Sequence, residues 1–289
     1  MPTNLARMLA DRRFAVTAEV APPHGSDYST MLASATLLAG YVDAINVTDN
    51  QGANMRMCPV AAAALLAREG IEPVLQLTCR DRNRMALQSE LLGAAALGVG
   101  NVLALTGDDI GCGDHRHAKA VFDLDSVMLL DVLNHLKSGS DMNGSALDGP
   151  APFFYGAAAS PEAVPFAATF PKLSRKAAAG ASFFQTQAVF RPERLASFCE
   201  SVKPLGVPVL AGILVLRSVR MAEYINRNIP GLRVPEEVIE RLRGAERPAA
   251  EGVRIAVEMA RHARVHCSGI HLMTMGRDEC VPEIVAAVR

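Results

Sequence analysis

Eight short apolar runs punctuate this chain, and helical spacing fills the intervals between them. The runs are "RFAVTAEVA" (Arg13–Ala21), "VDAINVTD", "EPVLQLTC", "NVLALTG", "FFYGAAA", "SFFQTQ", "VPVLAGIL" and "SGIHLMTM". Short, nearly continuous apolar strands are those of a parallel sheet covered on both faces. Helices are expected at "YSTMLASATLLAG", "PVAAAALLAREG", "RNRMALQSELLGAAALG", "DLDSVMLLDVLNHL" and within "PEAVPFAATFPKLSRKAAAGA". Pro59 near the start and Gly70 past the end of the second of these follow the usual helix asymmetry. Further helical sequence runs through Val234–Arg264, and "MPTNLARMLADRRF" reads as a short amphipathic helix. Eight strand–helix units predict a (β/α)8 TIM barrel, one domain over residues 1–289 with extra helices; a doubly wound open sheet is the alternative. "SGSDMNGSALDGPAP" has no periodicity and is expected to be a surface excursion.

Composition narrows the function. The 29 basic and 30 acidic residues leave a net charge of −1, so no basic excess points to nucleic acid or an anionic membrane. The N-terminal stretch lacks the continuous apolar run of a signal peptide or membrane span. Six cysteines (Cys58, Cys79, Cys112, Cys199, Cys267 and Cys280) form no CxxC, so no zinc cluster is signalled. They read as buried or idle thiols in a reducing cytoplasm.

A barrel puts its chemistry at the C-terminal ends of the strands. Polar residues gather there: Glu19 before Pro22 and Pro23; Thr48, Asp49 and Asn50; Gln76, Thr78, Arg80 and Asp81; Thr106, Asp108 and Asp109; Gln185 and Gln187; Thr274 and Arg277. Common cofactor signatures are missing. "GVGNVL" lacks a third glycine and precedes its strand, and there is no GxxxxGK[ST] loop. His115 and His117 beside Asp114 read as a solvated loop, and His24, His135, His262 and His266 as structural or exposed. A Schiff-base lyase would need a lysine at a strand end. None of Lys119, Lys137, Lys172, Lys176 and Lys203 falls on an expected strand.

Several of these strand-end segments occur together in one known family. "TAEVAPP", "INVTDNQGANMRM", "LQLTCRDRNRMALQSELLGAAALGVGNVLALTGDD", "KAVFDLDS", "KLSRKAAAGASFFQTQ" and "AGIL" resemble the methylenetetrahydrofolate reductase family, in order and spacing, over nearly the whole chain. The wording looks like a bacterial, flavin-dependent subfamily, some of whose members work beside a partner subunit. The resemblance implies a barrel carrying FAD that reduces 5,10-methylenetetrahydrofolate to 5-methyltetrahydrofolate with NADH or NADPH. It also implies a cytoplasmic homo-oligomer with a folate substrate.

The resemblance makes Glu19 the general acid. The methylene bridge must open before hydride arrives, so N10 needs a proton, and an apolar setting would raise the carboxyl pKa for that task. Asp108 is implied beside the flavin and the pterin, where its charge would favour hydride donation. Gln187 is implied at the pterin, since an amide donates and accepts together. Met221 and Arg277 complete the expected substrate-binding set. The flavin set is Thr48, Gln76, Arg80, Thr106, Gly107, Asp108, Phe122, Asp123, Asp125, Ser126, Ser160 and Lys176.

Four positions depart from better-known members. Gln76 and Ser160 stand for histidines, Thr106 for an arginine, and Gly156 for an aromatic residue. Losing a cationic donor to a diphosphate costs about 1.5–3 kcal/mol per bond, so weaker flavin binding, or FMN, stays open. Arg80, Arg82 and Arg84 are the candidates to compensate. A second reading makes the chain a folate-binding subunit, active only with a partner that supplies electrons. The choice of NADH or NADPH and the physiological direction are not written in the sequence.

Overall fold

A computed structural model describes residues 1–162, 166–229 and 231–289, with backbone only for 166–168. Eight parallel strands close into a barrel in sequence order. They are β1 (Ala15–Val20), β2 (Ala44–Val47), β3 (Pro73–Thr78), β4 (Asn101–Leu105), β5 (Phe154–Ala159), β6 (Phe184–Ala188), β7 (Val209–Leu214) and β8 (Gly269–Met273). The pairing of β1 with β8 closes the sheet and excludes the open alternative.

Helix α1 (Asn4–Ala10) precedes the barrel. Helices α2 (Ser29–Ala39), α3 (Pro59–Arg68), α4 (Arg84–Ala96), α5 (Ser126–Ser138), α6 (Phe166–Ala178) and α7 (Pro192–Val202) follow β1 to β6 in turn. Between β7 and β8 lie α8 (Val219–Asn228), α9 (Glu236–Gly244) and α10 (Pro248–His266), and α11 (Val281–Ala286) follows β8. The extra helical sequence at Val234–Arg264 is thus α9 and α10. Residues 163–165 of the expected helical stretch "PEAVPFAATFPKLSRKAAAGA" lie outside the described residues.

Period-2 alternation sorts each strand into an outer and an inner face. In β1, Val16, Ala18 and Val20 face outward into the layer between barrel and helices. Ala15 faces inward, with Ala44, Val74, Leu103, Phe183 and Leu210, and Leu5, Met8 and Leu9 of α1 close this end of the barrel. Each fully buried leucine here contributes roughly 1.5–3 kcal/mol. The Glu72 carboxylate anchors α1 by accepting the Asn4 and Leu5 backbone N–H groups at 2.5 and 2.9 Å. Negative charge at a helix N-terminus is favourable.

Above this apolar floor the barrel interior turns polar. Thr17, Asn46, Gln76, Gln185 and His271 are all buried. Asn46 donates to Gln185 Oε1 at 2.9 Å, joining β2 to β6 across the interior. Gly156 sits at an inner position of β5, where an added Cβ would come within 2.6 Å of the Phe183 ring. That ring stacks on Phe154 at 5.4 Å and takes the room that a side chain at 156 would need.

Candidate functional site

The floor of the site is built on the seam between β1 and β8. Register pairs Thr17 with His271. The His271 ring has Nδ1 2.9 Å from Thr17 Oγ1 and Nε2 3.3 Å from Glu19 Oε2. His271 is 1% exposed and the Glu19 side chain 11%, so the carboxylate alone reaches toward solvent. Sequence reasoning did not single out His271, which sits inside an otherwise apolar strand. Its register opposite Thr17, two residues before Glu19, was the available signal.

The rim comes from the loops after β2, β3 and β4. Asp49, with a fully buried side chain, accepts from Thr78 N and Oγ1 and from Arg82 Nη1, all at 2.8–2.9 Å. Arg82 also reaches Glu90 at 2.7 Å. Arg80 is 1% exposed and bonds Asp81 at 2.7 and 2.8 Å, with Nη2 also donating to the Asn50 carbonyl. Arg84 bonds Asp123, whose carboxyl this pairing holds down to about 2. All three arginines therefore already have carboxylate partners within the chain.

The loops after β2 and β4 interlock. Asp108 Oδ2 accepts the Gly52 N–H at 3.1 Å, and Asp114 accepts the Met55 N–H. Gly113 packs on the Ala53 carbonyl so closely that a Cβ there would fall 1.8 Å from the oxygen. Asn50 and Ala53 both adopt positive φ. Backbone strain of this kind costs about 1–3 kcal/mol per residue and gathers at functional sites. Asp109 accepts from Gly111 N at 2.7 Å and so closes its own turn, whereas exposed Asp108 stands on the rim.

The other expected residues take these places. Thr106 Oγ1 accepts the Ser126 N–H at 3.2 Å, and Asp125 caps α5 through Val127 N and Met128 N. Gly107, at φ 99°, lies on Thr78 and Arg80, where a Cβ would meet the Arg80 Cβ at 2.9 Å. Phe122 is half-exposed at φ 42°. Ser160 follows β5, and Gln76 is an inner residue of β3. Thr48 Oγ1 is buried with no hydrogen-bond partner among the described residues. Lys176 Nζ donates to the Ala158 carbonyl at 2.6 Å and has no ion-pair partner among the described residues. Burial, with help from Lys172, pushes its ammonium down to about 8.

Gln187 marks an irregularity in β6. The β6–β7 register shifts between Gln185 and Ala188. Thr186 Oγ1 stabilises the shift by donating to the Gln187 carbonyl and accepting from Gly212 N. A Cβ at Gly212 would strike the Thr186 and Gln187 carbonyls, so the bulge requires glycine there. Bulges re-aim side chains beside active sites, and Gln187 is exposed at the mouth. Met221, partly buried, packs against the apolar cluster that includes Phe190, Leu214 and Leu216. Arg277 gives its guanidinium to Glu279 and to the Ala249 carbonyl.

Comparison with known proteins follows the same lines. The model of the methylenetetrahydrofolate reductase family matches residues 4–289. The chain belongs to this family. A probable methylenetetrahydrofolate reductase (NADPH) of Caenorhabditis elegans is 25% identical over 235 residues, which is 78% of this chain and 34% of the relative. Methylenetetrahydrofolate reductase (NADH) 1 of Arabidopsis thaliana is 26% identical over 224 residues, 72% of this chain and 36% of that one. The chain thus spans about a third of the length of these curated reductases.

Among solved structures, an uncharacterized Clostridium thermocellum protein described as binding two copies of 5-methyl-5,6,7,8-tetrahydrofolic acid superposes with TM-score 0.66. It is 13% identical and covers 99% of this chain and 97% of its own. Tryptophan synthase from M. tuberculosis superposes at 0.55 with 13% identity, covering 99% of this chain and all of its own. At such identities both likenesses speak to the barrel alone. No described helix is long and apolar enough to cross a membrane.

Proposed function

We propose that the chain is a flavin-dependent methylenetetrahydrofolate reductase in which Glu19 delivers the proton that opens the methylene bridge. Membership of the family supports the reaction class. The observation that carries the residue assignment is the Thr17–His271–Glu19 chain at the barrel mouth.

The residues present fit a flavin held mainly at two points. Among the described residues, the buried Thr48 hydroxyl has no hydrogen-bond partner and the buried Lys176 ammonium no ion pair, with Asp125 acting on it only at longer range. Gln76, Thr106, Gly107, Phe122 and Ser160 would line the group, with Asp108 facing its pyrimidine end. The Ser126, Val127 and Met128 amides of α5 are already taken by Thr106 and Asp125, and Arg80, Arg82 and Arg84 by acids. The diphosphate charge therefore falls chiefly to Lys176, which argues for a loosely held flavin. When bound, flavin supplies a two-electron relay between the nicotinamide and the folate.

The chain's own part is proton placement and orientation. Thr17 fixes the His271 ring, and the ring holds the Glu19 carboxyl at the mouth. Glu19 passes its proton to folate N10 as the C–N bond breaks, leaving the iminium at N5 to receive hydride. Gln187 of β6 and Asp108 of the loop after β4, separated by the single strand β5, hold the pterin edge, the amide donating and accepting, the carboxylate accepting.

Flavin-saturated protein, supplied with NADH or NADPH, should convert methylenetetrahydrofolate to methyltetrahydrofolate. Oxidation of neither nicotinamide, even with an artificial electron acceptor, would overturn the reading.

A further inference from the structure

At the opposite end of the barrel, two cysteines from distant parts of the chain meet. Cys199, near the end of α7, and Cys267, the residue that caps α10, have sulfurs 3.4 Å apart across 68 residues of sequence. A disulfide needs about 2.05 Å, so a movement of little more than 1 Å joins them. Cys199 is 9% exposed and Cys267 is half-buried. Both line a pocket of about 580 Å³, together with Arg12, Lys203, Arg264 and His266. The two sulfurs are not equivalent. Either sulfur can donate to the other; with the proton on Cys267, the bond draws the Cys199 thiol below its ordinary range against burial and the charge of Glu200, while the same bond and burial push Cys267 up. The thiolate is the reactive form of a cysteine, so with the proton on Cys267 the nucleophile is Cys199.

We propose that Cys199 and Cys267 form a reversible dithiol–disulfide couple, oxidised by a small hydroperoxide that enters this pocket. The Cys199 sulfur attacks the peroxide, the O–O bond breaks, and water (or an alcohol) leaves. Cys199 is then a sulfenic acid. The Cys267 thiol attacks that sulfur and displaces a second water. In sum, two thiols and hydrogen peroxide give one disulfide and two waters; the thiols lose two electrons and the peroxide gains them. An external dithiol reverses the step by exchange. The bridge ties the end of α7 to the joint between α10 and β8, two residues ahead of the strand that carries His271.

The test uses the full chain with both exposed cysteines removed, C58S/C112S, treated with a small molar excess of hydrogen peroxide. The protein is then unfolded, alkylated, digested and read by mass spectrometry. Two of the four remaining thiols should escape alkylation, a peptide pair linked through Cys199 and Cys267 should appear, and dithiothreitol should restore both thiols. Adding C267S should leave a dimedone-reactive sulfenic acid at Cys199. Full alkylation of both cysteines after peroxide, or their oxidation without a link between them, overturns the proposal.

Discussion

His271 Nε2 lies 3.3 Å from Glu19 Oε2 across the seam that closes the barrel, while Nδ1 of the same ring rests on Thr17. One histidine, 1% exposed, thus links a hydroxyl at the floor to a carboxylate at the mouth. If this ring positions the acid, changes on either side of the bond should separate the two half-reactions.

Glu19→Gln keeps the shape and removes the proton. It should retain flavin and still oxidise NAD(P)H with an artificial acceptor, while folate turnover falls roughly 10²–10⁴-fold, the usual share of a general acid. His271→Ala should show the same split more weakly, with an altered pH profile for the folate half-reaction alone. Equal loss of both half-reactions in Glu19→Gln would falsify the proton-donor role.

Gln187→Ala should raise KM for folate more than it changes flavin retention, because the proposed pterin contact is this exposed amide at the register shift of β6. Flavin release with unchanged folate KM is the contrary result. Fluorescence titration and initial rates distinguish the two.

Lys176 gives opposite effects on folding and on binding. Between pH about 8 and its ordinary value of 10.5, the folded chain leaves this amine neutral while the unfolded chain still binds the proton. Its contribution to stability therefore rises with pH across that window. Lys176→Met should raise apoprotein stability at pH 7 by up to ~3 kcal/mol, with the gain shrinking toward pH 10.5. Flavin affinity should fall about tenfold or more at pH 7. Thermal melts and flavin titrations at pH 7 and 9.5 provide the check. A variant less stable than its parent at pH 7 would show that the ammonium is well satisfied where it sits.

Asp49→Ala should cost roughly 3–5 kcal/mol, because it strands the buried Arg82 guanidinium. Urea unfolding measures this directly, and a loss under 1 kcal/mol would mean that Glu90 suffices for Arg82.

Gly156→Ala should destabilise by about 1–3 kcal/mol through collision with Phe183, and Phe183→Leu should recover part of the loss. A melting temperature unchanged by Gly156→Ala would mean the ring yields without cost.

The fold was legible because each strand announced itself locally, as a short apolar run between helices with ordinary stop signals. The polar strand ends were legible for the same reason. Pairing across the barrel was not. Arg80, Arg82 and Arg84 read as free cations, since Asp49 and Asp123, which bind two of them, lie 33 and 39 residues away. His271 was hidden by its neighbours: one polar residue in an apolar strand looks like a core histidine until register sets it beside Thr17 and Glu19. The four departures from the family pattern were visible, but among them Gly156 alone has a steric cause among the described residues, in the Phe183 ring that fills its space.

The contact of Gly113 on the Ala53 carbonyl bears on how this site can change over time. Two loops that touch backbone to backbone cannot drift independently. A β4 loop borrowed from a relative, with any side chain at position 113, would collide unless its own β2 loop came with it. The pair acts as one piece, and an engineer who wishes to alter substrate range here must transplant both.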